Sequence, residues 1–409
     1  MKSDIDRFME ETGLDALLVI GPADHNPAMV YFTGLAHVSH ATLLKKRAQD
    51  PILFYASMER EEAARSGLRT KDRGDYDFLE LLKQAGGDEV QANALWYGRM
   101  VREFEVRGRV GLYGRMEVGP AYAIFRKVEQ ALPEIEFIGD SEDRSVLARA
   151  RATKDADEVE RIRQMGQTTV AVAGEVATFL TSHQVKDGLL VNREGNPLTV
   201  GEVKRRINLW LAMRGAENPE GTIFAIGRDA GIPHSAGNDQ DLIPIGKPIV
   251  FDLYPCEKGG GYFYDFTRTW CLGHAPDEVL SAYHDVLEVF EAVQTTMKPD
   301  TLCREHQRWT CERFEAKGHP TVKSDPKTQK GYVHTLGHGL GLAVHESPFF
   351  ADLEANPDRL LPGAVFTVEP GLYYPERGLG VRIEDTMWMR PDGTVETLAE
   401  FPKDLVLKA

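Results

Sequence analysis

The chain has 409 residues, 42% of them hydrophobic, which is enough for two domains with sizeable cores. Its 63 acidic residues outnumber 48 basic ones and give a net charge of -15, which argues against nucleic acid and anionic membranes as partners. A charged N-terminus and the lack of any membrane-length apolar run predict a cytoplasmic protein. Four cysteines without a Cys-x-x-Cys pair predict free, mostly buried thiols.

The first 150 residues alternate apolar, strand-like segments with amphipathic, helical ones. This alternation predicts an α/β domain. Neither Gly-x-Gly-x-x-Gly nor Gly-x-x-x-x-Gly-Lys-Ser/Thr occurs, so nucleotide binding is not expected. The predicted strands are 16–20, 29–32, 41–44, 52–55, 110–113 and 136–138, and the predicted helices are 4–11, 58–66, 78–84, 88–105 and 122–131.

A basic stretch at 149–154 marks the predicted boundary between domains 1–150 and 151–409. Two helix starts follow, at Asp155 and Thr199, each with a glutamate three residues later, the spacing of a capping box. Two further helices are predicted over about 277–296 and 303–316. The second domain therefore looks doubled, because each pair of helices precedes a pair of strands that carry acidic residues.

Four carboxylates lie inside those strand-like apolar segments: Asp252, Asp265, Glu369 and Glu384. A carboxylate in a half-buried strand must be paired or bind a metal, because desolvating it alone costs several kcal/mol. Between the two pairs lies a glycine-rich stretch with three histidines, His334, His338 and His345. Four acids and an imidazole suit one or two divalent ions such as Mn, Co, Fe or Zn.

The order Asp, Asp, His, Glu, Glu and its local contexts resemble the pita-bread metallopeptidases, which include prolidase, aminopeptidase P, methionine aminopeptidase and creatinase. The matching contexts are Asp-Phe-Thr-Arg-Thr from 265, Gly-His-Gly-Leu-Gly from 337, Thr-Val-Glu-Pro-Gly from 367 and Val-Arg-Ile-Glu-Asp from 381. The N-terminal part also resembles a creatinase-type domain, which favours the Xaa-Pro peptidases over methionine aminopeptidase. The resemblance implies an α/β creatinase-like domain followed by an α+β pita-bread catalytic domain, and a homodimer.

The resemblance also implies residue roles. Two divalent ions per subunit, manganese by preference and Co, Zn or Fe otherwise, would be held by Asp252, Asp265, His338, Glu369 and Glu384. Glu369 would also be the general base, His345 would stabilise the tetrahedral intermediate, and His234 would face the substrate. His334 and Arg382 match substrate-binding or supporting positions, although simple hydrogen-bonded packing would also explain them. Arg268 is expected to pair with an acid behind the site.

The sequence thus predicts a metallopeptidase that hydrolyses Xaa-Pro bonds of small peptides through a water activated by two metal ions. Two alternatives stay open. One is the same scaffold acting on a small non-peptide substrate, as an ectoine-hydrolase-like amidohydrolase or a dimethylsulfoniopropionate-lyase-like enzyme does. The other is a binding protein without catalysis, although such relatives usually lose ligands. The link between Asp252 and Asp265 is longer than the family commonly shows, which is expected to reshape the cleft.

Overall fold

The computed structural model describes residues 1–141 and 144–408. Residue contacts divide the chain into two compact units. The first comprises Met1–Arg151 together with Gly259–Gly261, and the second comprises Ala152–Lys258 and the residues from Tyr262 on. Among the described helices, none combines the length and the apolar character that a bilayer crossing requires.

The first unit is built on one six-stranded sheet. Its strands lie in the order β4-β3-β2-β1-β5-β6, with antiparallel pairing of β2 to both β1 and β3 and parallel pairing elsewhere. All five residues of the central strand are buried, as its continuous apolar run predicts. The strands are β1 Ala16–Ile20, β2 Thr42–Lys46, β3 Ile52–Tyr55, β4 Arg69–Asp72, β5 Gly108–Gly114 and β6 Ile135–Ile138.

Among the described residues, seven α-helices accompany this sheet: α1 Ile5–Thr12, α2 Pro27–Thr33, α3 Arg60–Arg65, α4 Phe78–Gln84, α5 Glu89–Glu103, α6 Val118–Ala131 and α7 Val146–Arg151. The predicted strand over 29–32 is wrong, because this segment is the middle of α2. Asn26 caps the helix by accepting a hydrogen bond from the Met29 amide, and Pro27 occupies the first turn. Since Met29–Thr33 are all buried, their unbroken apolar run looks like a buried strand.

The described part of the second unit contains four long α-helices and several small sheets. The helices are α8 Ala156–Thr181, α9 Val200–Met213, α10 Asp277–Gln294 and α11 Cys303–Ala316. The strands are β7 Gln184–Lys186, β8 Leu189–Val191, β9 Ala216–Glu217, β10 Thr222–Ile226, β11 Pro248–Leu253, β12 Cys256–Glu257, β13 Phe266–Leu272, β14 His338–Gly339, β15 Glu346–Phe349, β16 Val365–Val368, β17 Gly371–Tyr374, β18 Leu379–Arg382, β19 Asp385–Met389, β20 Val395–Thr397 and β21 Val406–Leu407.

Both predicted capping boxes are present. Asp155 and Glu158 exchange side-chain and backbone hydrogen bonds at the start of α8, and Thr199 and Glu202 do the same at the start of α9. Each box satisfies amide groups that have no partner within the helix. The helices α10 and α11 pack with strands of the second half in one apolar core, which includes Val286, Phe314 and Phe366.

The acid-bearing strands form two separate sheets. A four-stranded sheet has the order β10-β11-β13-β21, and a five-stranded sheet has the order β15-β14-β16-β19-β20. In the first sheet, antiparallel pairing places Asp252 opposite Thr267. An isolated bridge between Thr267 and Glu384 then connects this sheet to the segment that carries the last acid. Each half of the second unit therefore delivers one pair of carboxylates to a common region.

Candidate metal centre

Three of the predicted ligands form a tight, buried cluster. One ligand atom each of Asp265, His338 and Glu384 lies within 4.8 Å of the others. The His338 Nε2 atom is 3.7 Å from an Asp265 carboxylate oxygen and 3.4 Å from a Glu369 oxygen. Four of the five residues predicted from the sequence order are therefore in one place, although they are separated by up to 119 positions in the chain.

His338 is held in the tautomer that a metal ligand needs. Its Nδ1 atom lies 3.1 Å from the Gly339 carbonyl oxygen, to which it donates a hydrogen bond. The Nε2 lone pair is then directed at the carboxylates. The backbone amide of His338 donates to the Thr367 hydroxyl at 3.2 Å, and that hydroxyl donates to Glu369 at 3.3 Å. Strand β16 thus orients both the histidine and the glutamate.

The fifth predicted ligand, Asp252, is oriented by Arg382. The guanidinium Nη2 lies 2.5 Å from one Asp252 oxygen, and both side chains are almost completely buried. The same guanidinium donates to the Tyr373 hydroxyl at 2.8 Å and to the Pro233 carbonyl at 3.2 Å. Arg382 therefore supports the cluster and also fixes the backbone immediately before His234.

Among the predicted ligands, two buried carboxylate oxygens lack a hydrogen-bond partner in the described part of the chain: Asp252 Oδ1 and Glu384 Oε1. The other Glu384 oxygen accepts from the Thr267 hydroxyl at 2.7 Å. A buried, unpartnered carboxylate oxygen is costly unless a cation occupies the space beside it. These orphaned oxygens, together with the free Nε2 of His338, fit a divalent metal with oxygen and imidazole ligands.

The electrostatics of the cluster point the same way. Burial, followed by repulsion from neighbouring carboxylates, raises the pKa of Asp265 and of Glu384 well above their ordinary values. Burial raises the pKa of Glu369 to about 8, against the lowering effect of Arg382. Burial also lowers the pKa of His338 to about 3. The fold thus crowds acids that repel each other, an arrangement that bound cations would stabilise.

This pattern predicts how the stability of chelator-treated protein depends on pH. Burial lowers the pKa of His334 and of His338 from 6.5 to about 3. Between about pH 3 and 6.5 these histidines therefore make the free energy of unfolding rise with pH, and above pH 6.5 they no longer change it. The pKa of Glu369 is raised from 4.5 to about 8, so this residue makes the free energy of unfolding decrease as the pH rises from about 4.5 to about 8. Between pH 6.5 and 8 only the carboxyl effect remains, so we expect Glu369 to account for a loss of about 2 kcal/mol.

Urea unfolding of chelator-treated protein at pH 6.5 and 8 measures this loss. The matched control is the Glu369→Gln variant, which cannot ionise at this position and should lose less stability over the same interval. Metal-loaded protein should show a smaller decrease, because bound cations stabilise the ionised carboxylates. Equal or greater stability of the chelator-treated protein at pH 8 would contradict the prediction.

All nine site residues predicted from the sequence line one cavity of about 480 Å³ in the second unit. The His345 ring lies 4.3 Å from the His338 ring, measured between centroids. The His334 Nε2 atom is 2.9 Å from the Tyr373 hydroxyl, and its Nδ1 atom is 2.7 Å from the Thr335 carbonyl oxygen. Both ring nitrogens of His334 therefore lie within hydrogen-bond distance of other protein groups. His234 is an exposed residue of the cavity wall.

The cavity also contains residues that the sequence did not single out. Tyr373 connects Arg382 to His334, and Tyr254 and Glu220 line the wall. In the sequence, the two tyrosines are marked only by being close to predicted ligands. Tyr373 is four residues after Glu369, and Tyr254 is two residues after Asp252. The predicted structural role of Arg268 is confirmed by its buried ion pair with Asp385, 2.7 Å long.

Comparison with known proteins gives two family matches. The model of metallopeptidase family M24 matches residues 160–391, and that of the creatinase/prolidase N-terminal domain matches residues 3–153. An Xaa-Pro dipeptidase from Pyrococcus furiosus is 24% identical over 95% of this chain and 94% of its own length. An Xaa-Pro dipeptidase from Lactobacillus delbrueckii is 25% identical over 95% and 94%.

The fold has counterparts among solved structures. The crystal structure of an X-Pro aminopeptidase from Thermotoga maritima matches with a TM-score of 0.74 at 24% identity, covering 98% of this chain and 100% of that one. The fold and the acid-rich cluster together define a two-domain pita-bread metallohydrolase, which confirms the predicted fold class. Because its family model covers more than half of the sequence, the chain belongs to metallopeptidase family M24. It is a metallopeptidase, and divalent metal ions are its implied cofactors.

Proposed function

We propose that this metallopeptidase is an exopeptidase that hydrolyses the Xaa-Pro bond of small peptides, with two divalent ions held by Asp252, Asp265, His338, Glu369 and Glu384. The observation that carries the proposal is the convergence of these five side chains, two of them with unpartnered buried oxygens, on one cavity. The cavity of about 480 Å³ suits a small substrate. Relatives over nearly the whole chain that are named Xaa-Pro dipeptidases support this substrate class.

Bound divalent ions would supply an activated water at neutral pH and polarise the scissile carbonyl. Glu369 would take the proton of the attacking water and deliver it to the leaving proline nitrogen. Without bound metal, burial raises its pKa to about 8, and bound cations would favour the ionised form that accepts the proton. His345, whose ring lies beside His338, would donate to the developing oxyanion.

His234, His334 and Arg382 are proposed to act on the substrate side of the cavity. His234 lies on the exposed wall, where it can donate to the substrate. The hydrogen bonds of Arg382 to Asp252, Tyr373 and Pro233 support a positioning role, with the substrate held by the loop that Arg382 fixes. Manganese, the homodimer, the cytoplasmic location and the domain bounds 1–150 and 151–409 remain predictions.

Metal removal tests the proposal. Protein loaded with Mn²⁺ or Co²⁺ should cleave Ala-Pro and Ala-Pro-Ala but not Ala-Ala. Chelator treatment should lower each rate to below about 1%, because the attacking water loses its activation. The readout is chromatographic release of free alanine, and returning the metal should restore it.

The ratio of dipeptide to tripeptide hydrolysis then separates a prolidase from an aminopeptidase P type of enzyme. Lack of cleavage of any peptide by protein with measured bound metal would overturn the Xaa-Pro proposal. In that case the same scaffold acting on a small non-peptide substrate becomes the better reading. Metal-independent cleavage would overturn the assignment of the five ligands.

A further inference from the structure

We infer that Glu220 makes the site selective for a positive charge on the residue that precedes the scissile bond. Glu220 lines the same cavity as the five proposed ligands. Unlike Asp252, which pairs with Arg382, its carboxylate forms no hydrogen bond or ion pair with any residue in 1–141 or 144–408. It is thus a negative charge of the cavity wall that remains available to a ligand.

The position of Glu220 is fixed by the surrounding backbone. It lies in a turn closed by a 3.3 Å hydrogen bond from the Gly221 amide to the Asn218 carbonyl. The Asn218 amide group also donates to the Thr222 hydroxyl at 2.9 Å and so ties the turn to β10. In that strand Ile223 is paired with Asp252, which brings the turn close to the proposed ligands.

The link between Asp252 and Asp265 supports the backbone from which this turn begins. Its strand β12 pairs with β9, with Cys256 opposite Glu217 and Glu257 opposite Ala216. Because β9 ends directly before the turn, this pairing holds the backbone that presents Glu220.

Glu220, Tyr254 and His345 line the same cavity, and charge effects agree with this placement. Desolvation lowers the pKa of His345, and the Glu220 carboxylate is the largest influence that raises it, ahead of Asp252. The pKa of Tyr254 is raised by burial first and then by Asp252, Asp265 and Glu220. Glu220 thus shares a wall with the histidine proposed to stabilise the oxyanion.

The substrate class follows from these contacts and rests on the proposed Xaa-Pro activity. In an Xaa-Pro dipeptide the proline nitrogen is an amide and the proline carboxylate is negative. The only positive charges belong to Xaa, either as its α-ammonium or as the side chain of lysine or arginine. A carboxylate on the wall is matched by one of these two groups and repels an acidic Xaa.

Four substrates separate the two sources of charge: Lys-Pro, norleucyl-Pro, 6-aminohexanoyl-Pro and hexanoyl-Pro. They carry both positive groups, the α-ammonium alone, the side-chain ammonium alone and neither. With Mn²⁺-loaded protein, a substrate that has the ammonium contacted by Glu220 should have a kcat/KM about 3- to 5-fold higher than the substrate that lacks only this ammonium. This is the size of effect expected for one solvated charge pair. The Glu220→Gln variant should abolish that ratio, and 1 M NaCl should reduce it.

The charge-reversed variant Glu220→Lys should shift the preference between Lys-Pro and Glu-Pro about tenfold toward Glu-Pro. Glu291→Gln is the matched control, because it removes an exposed carboxylate from α10, away from the cavity, and should leave every ratio unchanged. Equal ratios in wild-type protein and Glu220→Gln for both kinds of ammonium would overturn the inference.

A binding measurement keeps this test independent of hydrolysis. Lysine, norleucine, 6-aminohexanoate and hexanoate cannot be cleaved, and their dissociation constants for Mn²⁺-loaded protein are measurable by calorimetry. Each acid that carries the ammonium contacted by Glu220 is compared with the acid that lacks only this ammonium. The preference for the charged acid should decrease 3- to 5-fold in Glu220→Gln. Failure of all four peptides to be cleaved overturns the proposed function alone. Unchanged binding ratios, or no binding of any of the four acids, overturn the role of Glu220.

Discussion

Replacement of Glu369 by glutamine is expected to lower kcat/KM for an Xaa-Pro dipeptide about 1,000-fold, which corresponds to roughly 4 kcal/mol of transition-state stabilisation. Glutamine has nearly the same shape but cannot accept a proton. In the structure Glu369 lies 3.4 Å from His338 and accepts a hydrogen bond from Thr367, so its position is set by strand β16. The Thr367 hydroxyl can also donate to the glutamine oxygen, which should keep the side chain in place.

The measurement pairs steady-state kinetics with the metal content of the same sample. Loss of activity with metal retained supports a proton-transfer role, whereas loss of both supports a role as ligand alone. Glu376→Gln serves as a control, because it makes the same chemical change at an exposed position after β17. Activity of Glu369→Gln within tenfold of wild type, with metal bound, would remove Glu369 from the mechanism.

Most of the fold was predictable because helix caps and buried strands are specified by residues that lie close together in the sequence. The capping boxes at Asp155 and Thr199 involve residues three positions apart, so the sequence contains the whole motif. The buried strand Ala16–Ile20 was predictable from its continuous apolar run. The same rule fails at Met29–Thr33, where the cap at Asn26 and the following proline favour a helix. Apolar runs of this length do not distinguish the two structures unless the caps are weighed first.

The candidate site was predictable as a set of residues but not as a network. A charge at Asp252 in an apolar strand and another at Glu384 between two largely buried strands indicate a site, because burial makes unpaired carboxylates costly. Which side chain orients which other side chain depends on the tertiary structure. Nothing near Arg382 in the sequence shows that it reaches both Asp252 and Tyr373, since strands from both halves must first come together.

Glu220 illustrates a further limit of sequence patterns. It is an exposed acid in a turn, and most such acids are simply solvated. Only the pairing of β9 with β12 and of β10 with β11 shows that this turn lies at the cavity. A residue that determines specificity from a loop therefore carries little local signal, whereas a ligand buried in a strand carries a strong one.

Arg268 is the residue on which the back of the metal centre most depends. It is completely buried, and Nη2 forms the ion pair with Asp385. The guanidinium also donates to the carbonyl oxygens of Thr267 and Glu384 at 2.9 and 2.8 Å. Two further hydrogen bonds reach the carbonyls of Phe401 and Pro402 in the C-terminal segment. One side chain thus joins strand β13, the segment that carries Glu384 and the end of the chain.

The variant Arg268→Ala is expected to lower the free energy of unfolding by about 3 to 5 kcal/mol, because it leaves several buried carbonyls and the Asp385 carboxylate without this donor. Lys403, 2.7 Å from the other Asp385 oxygen, would keep part of the charge balance. Since the Thr267 and Glu384 backbones lose a shared anchor, metal affinity should also decrease. Urea unfolding of metal-free protein and a metal titration of the folded variant measure the two effects separately.

Two further variants make the test specific. Arg390→Ala removes an arginine that is 46% exposed and should change the free energy of unfolding by less than about 1 kcal/mol. Arg268→Lys keeps the charge but not the planar set of five donors, so it should recover only part of the loss. A decrease below about 1 kcal/mol for Arg268→Ala would mean that the buried network adds little to stability. Full recovery by lysine would mean that charge alone, rather than the hydrogen bonds to both strands and the C-terminal segment, holds this side of the metal centre together.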